Sequence, residues 1–346
     1  MGTKETTAQQ QEASNQNKVK EPADPAEERR TAAVEAREQE VAEKLRLKAA
    51  KRSRRRIWSR SRSTVLGKVI DTKNRVGGSK IAFIEPEGRE ISYRDAVRGA
   101  FALGGAFNKF TKRGENVGFM LPTSAGGLIT MLALHCDGRV AAMLNFTAGE
   151  KALFSALETG DIRHIITSSR FIEVAGLQGL VDSLSSKAQI HILEEIREKL
   201  TPLDKLRGAV GEKLPFLMRR GSGPDSPAVI LFTSGTEGKP KGVVLTHANL
   251  ISNVEQIRQH VELLPTDIFF NPLPIFHSYG LTGGSLLPLI DGKPQVPYPS
   301  PLHVKIIPEV IRKSQATIIF ATDTFLSRYL RQARQGALQS LRYAVC

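Results

Sequence analysis

Ala228-Val229-Ile230-Leu231-Phe232-Thr233-Ser234-Gly235-Thr236-Glu237-Gly238-Lys239-Pro240-Lys241-Gly242 is the stretch that decides the fold. Its first five residues are uniformly apolar and rich in β-formers, as expected of a buried parallel strand. The chain then turns abruptly. Glycines at 235, 238 and 242 allow positive φ and close approach of the backbone, so that N–H groups can cradle phosphate oxygens. Thr233, Ser234 and Thr236 add hydroxyl donors, and Lys239 and Lys241 add positive charge. Neither the G-x-x-x-x-G-K-[ST] spacing of a P-loop nor the G-x-G-x-x-G of a dinucleotide fingerprint can be placed here. On composition alone, such a stretch is most often a solvated surface loop.

The order of residues says more than their composition. Phe232 to Gly242 resembles the phosphate-loop signature of the AMP-forming adenylating superfamily, aromatic-T-S-G-[ST]-T-G-x-P-K-G. Only Glu237 departs from it, where Thr is usual, and an acidic side chain is electrostatically unfavourable beside a triphosphate. The resemblance implies that Thr233, Ser234, Gly235, Thr236, Gly238, Lys239, Lys241 and Gly242 hold ATP phosphates, with Mg²⁺ as the accompanying cation.

Leu273-Pro274-Ile275-Phe276-His277-Ser278-Tyr279-Gly280 follows at the distance of a second superfamily signature. Read from the residues alone, a histidine between two aromatics is more often a packing residue than a catalyst. The resemblance places this loop beside the acyl substrate. It implies that His277 positions the carboxylate and that Phe276, Tyr279 and Gly280 wall the pocket.

Finer likeness lies in Met143 to Gly149, Tyr298 to His303 and Thr322 to Leu326, which adds Thr322 and Thr324 to the pocket. These stretches resemble the synthetase half of the bacterial bifunctional 2-acylglycerophosphoethanolamine acyltransferase/acyl-acyl-carrier-protein synthetase, over 63–346. The H-x-x-x-x-D signature of the acyltransferase half is absent from all seven histidines. The implied activity is conversion of fatty acid and ATP to acyl-AMP, then transfer to the thiol of acyl carrier protein. A long-chain acyl-CoA ligase is the alternative within the family, and a non-catalytic nucleotide- or polyanion-binding protein the alternative outside it.

With 346 residues, 40% of them hydrophobic, the chain can bury a large core and form one large α/β domain with appendages. Two cysteines, Cys136 and Cys346, have no metal-ligand spacing, so we expect no metal site and no disulfide framework, in keeping with a reducing cytoplasm. The first twenty residues lack the apolar core of a signal peptide. No apolar run approaches the ~18 residues of a membrane span, and the best candidate, around 281–290, stops at Asp291. The expected location is cytoplasmic, with a peripheral position at the inner membrane as an option.

Of the net charge of +14, residues 1–62 carry +6. We divide the chain into this charged arm and a globular part at 63–346. Residues 1–23 read as disordered, and 25–56 as helical with a thin stripe of Val34, Val41, Leu45 and Ala49. Residues 51–62 hold seven positive charges and Trp58, which suits an anionic membrane surface. RNA is a weaker candidate, and a solvated basic linker is the plain reading.

Beyond the arm, the pattern predicts helices over 64–76, 91–110, 125–137 and 171–185. It predicts strands over 80–85, 116–121, 140–145, 162–167 and 190–193. This alternation implies layered, mainly parallel sheets. Residues 200–224, basic and punctuated by Pro and Gly, read as a surface excursion. In the resembled family the text beyond Tyr343 continues into the adenine and ribose sites, a hinge and a small domain with a catalytic lysine. The expectation is therefore an incomplete N-terminal part of the adenylation domain, inactive alone, with an open sheet edge near 343–346.

Overall fold

Thr64, Ser92, Ser124 and Ser168 each turn a side-chain oxygen back onto the first turn of a helix, and these caps set the rhythm of the fold. The computed structural model describes the backbone of residues 25–218, 221–233 and 241–346. Two units divide the chain at Arg56 and Ile57. In the first, the helix Pro25–Ser61 begins and continues unbroken through the basic cluster, five residues beyond the expected end. Val41 and Leu45 of its thin stripe are exposed. The disorder expected of 1–23 lies outside the described residues.

The second unit is built on two six-stranded sheets. One has the order β6-β5-β3-β4-β7-β8, from β3 (Asn116–Phe119), β4 (Val140–Met143), β5 (His164–Thr167), β6 (Gln189–Ile192), β7 (Pro227–Thr233) and β8 (Lys241–Thr246). The other has the order β12-β11-β9-β10-β1-β2, from β1 (Ile81–Ile84), β2 (Glu90–Ser92), β9 (Phe269–Asn271), β10 (Gln295–Pro297), β11 (Ile318–Phe320) and β12 (Tyr343–Val345). Every pairing is parallel except the hairpins β1–β2 and β7–β8.

Three apolar clusters give the layering. The largest lies between the sheets. It joins Phe119, Met143 and Leu231 of one sheet to Phe83, Phe269 and Phe320 of the other through the helices Val65–Val76, Tyr93–Phe107, Ala125–His135 and His247–Ile257. Each fully buried aromatic or branched side chain there contributes on the order of 1.5–3 kcal/mol. The outer face of the first sheet is covered by Leu153, Leu157 and Leu184 from the helices Glu150–Thr159 and Gln178–Leu184. Ile307, Ile311 and Tyr329 cover the outer face of the second.

Three sequence readings are corrected. Ile91 is in β2, not in the following helix, because the Ser92 cap needs extended backbone (φ −76, ψ 161). The helix expected over 171–185 breaks into Ser169–Val174 and Gln178–Leu184, with Gly176 at φ 63 between them. Residues 200–224 are not a mere excursion. Thr201 and Asp204 form a reciprocal capping box at the start of the helix Pro202–Lys213, which packs against Tyr93–Phe107. Its buried positions are Asp204, Gly208, Gly211 and Glu212, so no apolar periodicity announces it. A Cβ on Gly208 would lie 2.8 Å from the Arg98 carbonyl oxygen, and one on Gly211 would strike the Phe101 ring. The stretch 281–290 is buried as the short helices Ser278–Leu281 and Leu287–Asp291 around a π-turn at Thr282–Leu286. Among the described residues no helix is long and apolar enough to cross a membrane.

Candidate active site

β3, β4 and β7 run parallel, with Phe119 beside Met143 and Met143 beside Leu231, so their carboxyl ends emerge together. The helix after β3 packs between the sheets and the helix after β4 packs on the outer face. Neighbouring strands whose connections leave to opposite faces open a crevice at their carboxyl ends. The carboxyl end of β9 in the second sheet meets the same place. Thr123, just after β3, donates its hydroxyl to the Leu273 carbonyl at 2.8 Å and accepts from the Ile275 N–H at 3.1 Å. Phe146, just after β4, stands edge-on to Phe276 at 5.0 Å.

Thr233 ends β7 and Lys241 begins β8, directly opposite each other, with Phe232 opposite Gly242. The ends of the glycine and hydroxyl run are therefore held side by side at the carboxyl end of β7. Ser234, Gly235, Thr236, Gly238 and Lys239 lie outside the described residues. Gly242 sits within the ladder, where a Cβ would come 3.2 Å from Ile230 Cγ2. Its freedom serves strand packing. Lys241 is exposed at the mouth of the hairpin.

The 271–281 segment is held from below by Asn271, which is fully buried. Its Nδ2 donates to the Gly280 carbonyl at 3.0 Å and to Ser285 Oγ at 2.9 Å, and its Oδ1 accepts from the Leu273 N–H at 3.1 Å. Gly280 has no room for a side chain, because a Cβ would strike the Pro274 carbonyl oxygen. On this base Phe276 is buried, while His277 caps the next helix with extended backbone and leaves its ring at the surface, 4.7 Å from Phe276. Partial burial pulls the His277 pKa below its usual value. Tyr279 packs against Phe320 at 5.4 Å, and its hydroxyl is buried with no hydrogen-bond partner among the described residues. Burial pushes that hydroxyl's pKa up to about 12.

Thr322 and Thr324 follow β11, which pairs parallel with β9, so they stand at the same end of the second sheet. Both are exposed. Sequence reasoning missed Asn271 and Thr123. An asparagine or threonine inside an apolar run was the available signal, but their partners are brought together only by the tertiary fold.

The opposite, amino end of the first sheet is different. A cavity of 410 Å³ lies there, lined by Arg113, Glu115, Asp161, Arg163 and His164, and one of 220 Å³ lies along β6, lined by Lys109, His191, Glu195 and Lys199. No hydroxyl and glycine loop opens into either. In the basic cluster, Arg60 pairs with Glu255 at 3.1 Å and Arg62 pairs with Asp225 at 3.0 Å and lies over the Trp58 ring. No group of three or more His, Cys, Asp or Glu among the described residues could hold a metal ion. Cys136 is buried and Cys346 exposed.

Two sheets stacked over a shared helical layer, with a hairpin loop at the common carboxyl end, define the class as the α/β N-terminal domain of adenylate-forming enzymes. The solved o-succinylbenzoate CoA synthetase of Bacillus subtilis, in complex with an acyl-adenylate intermediate, shares this fold at a TM-score of 0.65 and 19% identity, over 80% of this chain and 67% of that one. The chain belongs to the AMP-binding enzyme family, whose model matches residues 70–346. It is 28% identical to the peroxisomal long chain acyl-CoA synthetase 6 of Arabidopsis thaliana, over 61% of this chain and 31% of that protein. It is 25% identical to a medium-chain-fatty-acid–[acyl-carrier-protein] ligase of Teredinibacter turnerae, over 61% of this chain and 37% of that protein. The chain thus spans about a third of the length of the curated relatives it matches.

Proposed function

We propose that this chain carries the polyphosphate- and carboxylate-binding part of a fatty acid:thiol ligase that works through acyl-AMP and delivers the acyl group to acyl carrier protein. The observation that carries the reading is that the Thr123 turn and the Leu273–Ile275 segment are tied together by hydrogen bonds at the carboxyl ends of β3 and β9, while β7, parallel to β4 in the same sheet, ends at Thr233.

In this reading Thr233, Ser234, Gly235, Thr236, Gly238, Lys239 and Lys241 bind the β- and γ-phosphates of ATP. The His277 ring orients the carboxylate toward the α-phosphate. Phe276, Tyr279 and Gly280 wall the acyl chain, with Thr322 and Thr324 at the rim. Holding the two reactants in line is the main task of such a site, because positioning supplies as much as ~7–11 kcal/mol of barrier reduction. Mg²⁺, when bound, neutralises charge on the phosphates. It commonly rides on substrate phosphates with only one or two protein carboxylates, which fits the lack of a metal-ligating cluster among the described residues.

Coenzyme A as the acceptor is the second reading, favoured by the acyl-CoA synthetase among the relatives. The likeness of 63–346 to the synthetase half of the bifunctional acyltransferase/synthetase favours the carrier protein and a place in phospholipid turnover. Calorimetric titration tests the site itself. The purified chain should bind magnesium pyrophosphate and a long-chain fatty acid saturably and independently, and Lys241→Ala should weaken only the first. Failure to bind either ligand contradicts the assignment.

A further inference from the structure

The helix Pro202–Lys213 is turned inside out. Its buried face carries Asp204, Gly208, Gly211 and Glu212, whereas Leu203, Leu206, Val210 and Leu214 fall at i, i+3, i+7 and i+11 on the other side. Phe216 and Leu217 continue that apolar surface. The five large side chains other than Val210 range from 45% exposed at Leu214 to 73% at Leu203. A cluster of this kind on the surface marks a place where something docks.

Charge is sorted in the same way. Asp204 points inward and meets Lys109 at 2.7 Å, and Glu212 points inward and meets Lys73 at 2.7 Å. Lys205 and Lys213 point outward beside the leucines, and the sequence continues into Arg219-Arg220. Every acid of this helix is neutralised inside, and every charge left on its outer face is positive.

We propose that this face is a membrane-docking surface, in which Leu203, Leu206, Phe216 and Leu217 enter the headgroup boundary of an anionic lipid bilayer and the flanking lysines meet lipid phosphates. An apolar helix face with a basic rim is the pattern of helices that lie in the plane of the interface. A second copy of the chain fits less well, because a two-fold contact would bring the same lysines against each other. The inference stands on this surface alone and does not depend on the ligase reading.

The test uses the whole chain with phosphatidylcholine vesicles, with and without phosphatidylglycerol. Trp58 is the only tryptophan, so Phe216→Trp in a Trp58→Phe background reports on this face alone. Its emission should shift to the blue on adding anionic vesicles and be quenched by brominated lipid. Leu203→Ser with Leu206→Ser should lower partitioning about a hundredfold, since two leucines leave the interface, with the thermal midpoint unchanged. Lys205→Glu with Lys213→Glu should weaken binding to anionic vesicles only. An emission maximum at position 216 that anionic vesicles leave unmoved overturns the proposal. A blue shift that follows protein concentration without lipid overturns it in favour of self-association.

Discussion

The two ends of the first sheet use polar residues in opposite ways. At the amino end each buried charge meets its complement. Arg139, fully buried, donates to Thr111 Oγ1 at 2.6 Å and to Asn108 Oδ1 at 2.6 Å, and Asp137 lies 3.4 Å from Arg139 and 2.6 Å from Arg207. Burial lowers the pKa of Arg139, and Asp137 acts against that shift. At the carboxyl end, where β9 of the second sheet meets the first, the backbone is pinned just as firmly, by Thr123 and Asn271, yet the Tyr279 hydroxyl has no partner among the described residues and the His277 ring faces outward. Paired charges hold the fold at the first end, whereas side chains left outward on a fixed frame are available to a ligand.

The contrast breaks most visibly at Asp137. Asp137→Ala leaves two buried guanidinium groups facing each other and should cost about 3–5 kcal/mol of stability. Chemical denaturation should register the loss, while pyrophosphate affinity per folded molecule stays the same. A change in affinity without a change in stability would reverse the roles of the two ends.

Acid probes the core behind the same sheet. His135 is fully buried, its Nε2–H donates to the Ala228 carbonyl at 3.0 Å, and its Nδ1 has no partner among the described residues. Burial therefore lowers its pKa from 6.5 to about 4. The unfolded chain binds this proton more readily, so stability present above pH 6.5 is lost as the pH falls toward 4, with a slope of up to about 1.4 kcal/mol per pH unit. Replacement of His135 by Gln should flatten that part of the denaturation–pH curve.

Thr123→Val removes the hydroxyl that joins the two sheets and leaves the Ile275 N–H unpaired. It should cost about 1–3 kcal/mol of stability and, unlike Asp137→Ala, also weaken fatty-acid binding. Lys241→Ala should leave the unfolding midpoint in place and weaken pyrophosphate binding by about 1–3 kcal/mol, the scale of a lost charge-assisted hydrogen bond. The smallest effect is expected for Glu237→Thr, which removes a negative charge from the loop and should leave pyrophosphate affinity equal or slightly higher, as calorimetry would show.

How much of this was legible in the sequence depends on where the partners of each residue come from. The run from Ala228 to Phe232 was readable as a strand because most of it is an unbroken apolar run, and the helices near 64–76 and 91–110 were readable because their apolar spacing is local. β9, β10 and β11 escaped notice because three residues are too few to show any period. The helix Pro202–Lys213 was misread because its core-facing residues are acids and glycines, whose pairing with Lys73, Lys109 and Phe101 exists only after folding. At the site, motif order singled out His277 and Lys241. Asn271 and Thr123 acquire meaning only from carbonyl groups brought to them by other strands.

The central claim is that ligands meet this chain at the carboxyl ends of β3, β4, β7 and β9. Hydrogen exchange followed by mass spectrometry, with and without magnesium ATP and a long-chain fatty acid, tests it most directly. The account predicts slowed exchange in 120–124, 144–149, 233–242 and 272–281, with no change in 108–115 or 161–164. Protection confined to those last two segments would place the site at the amino end and contradict the account.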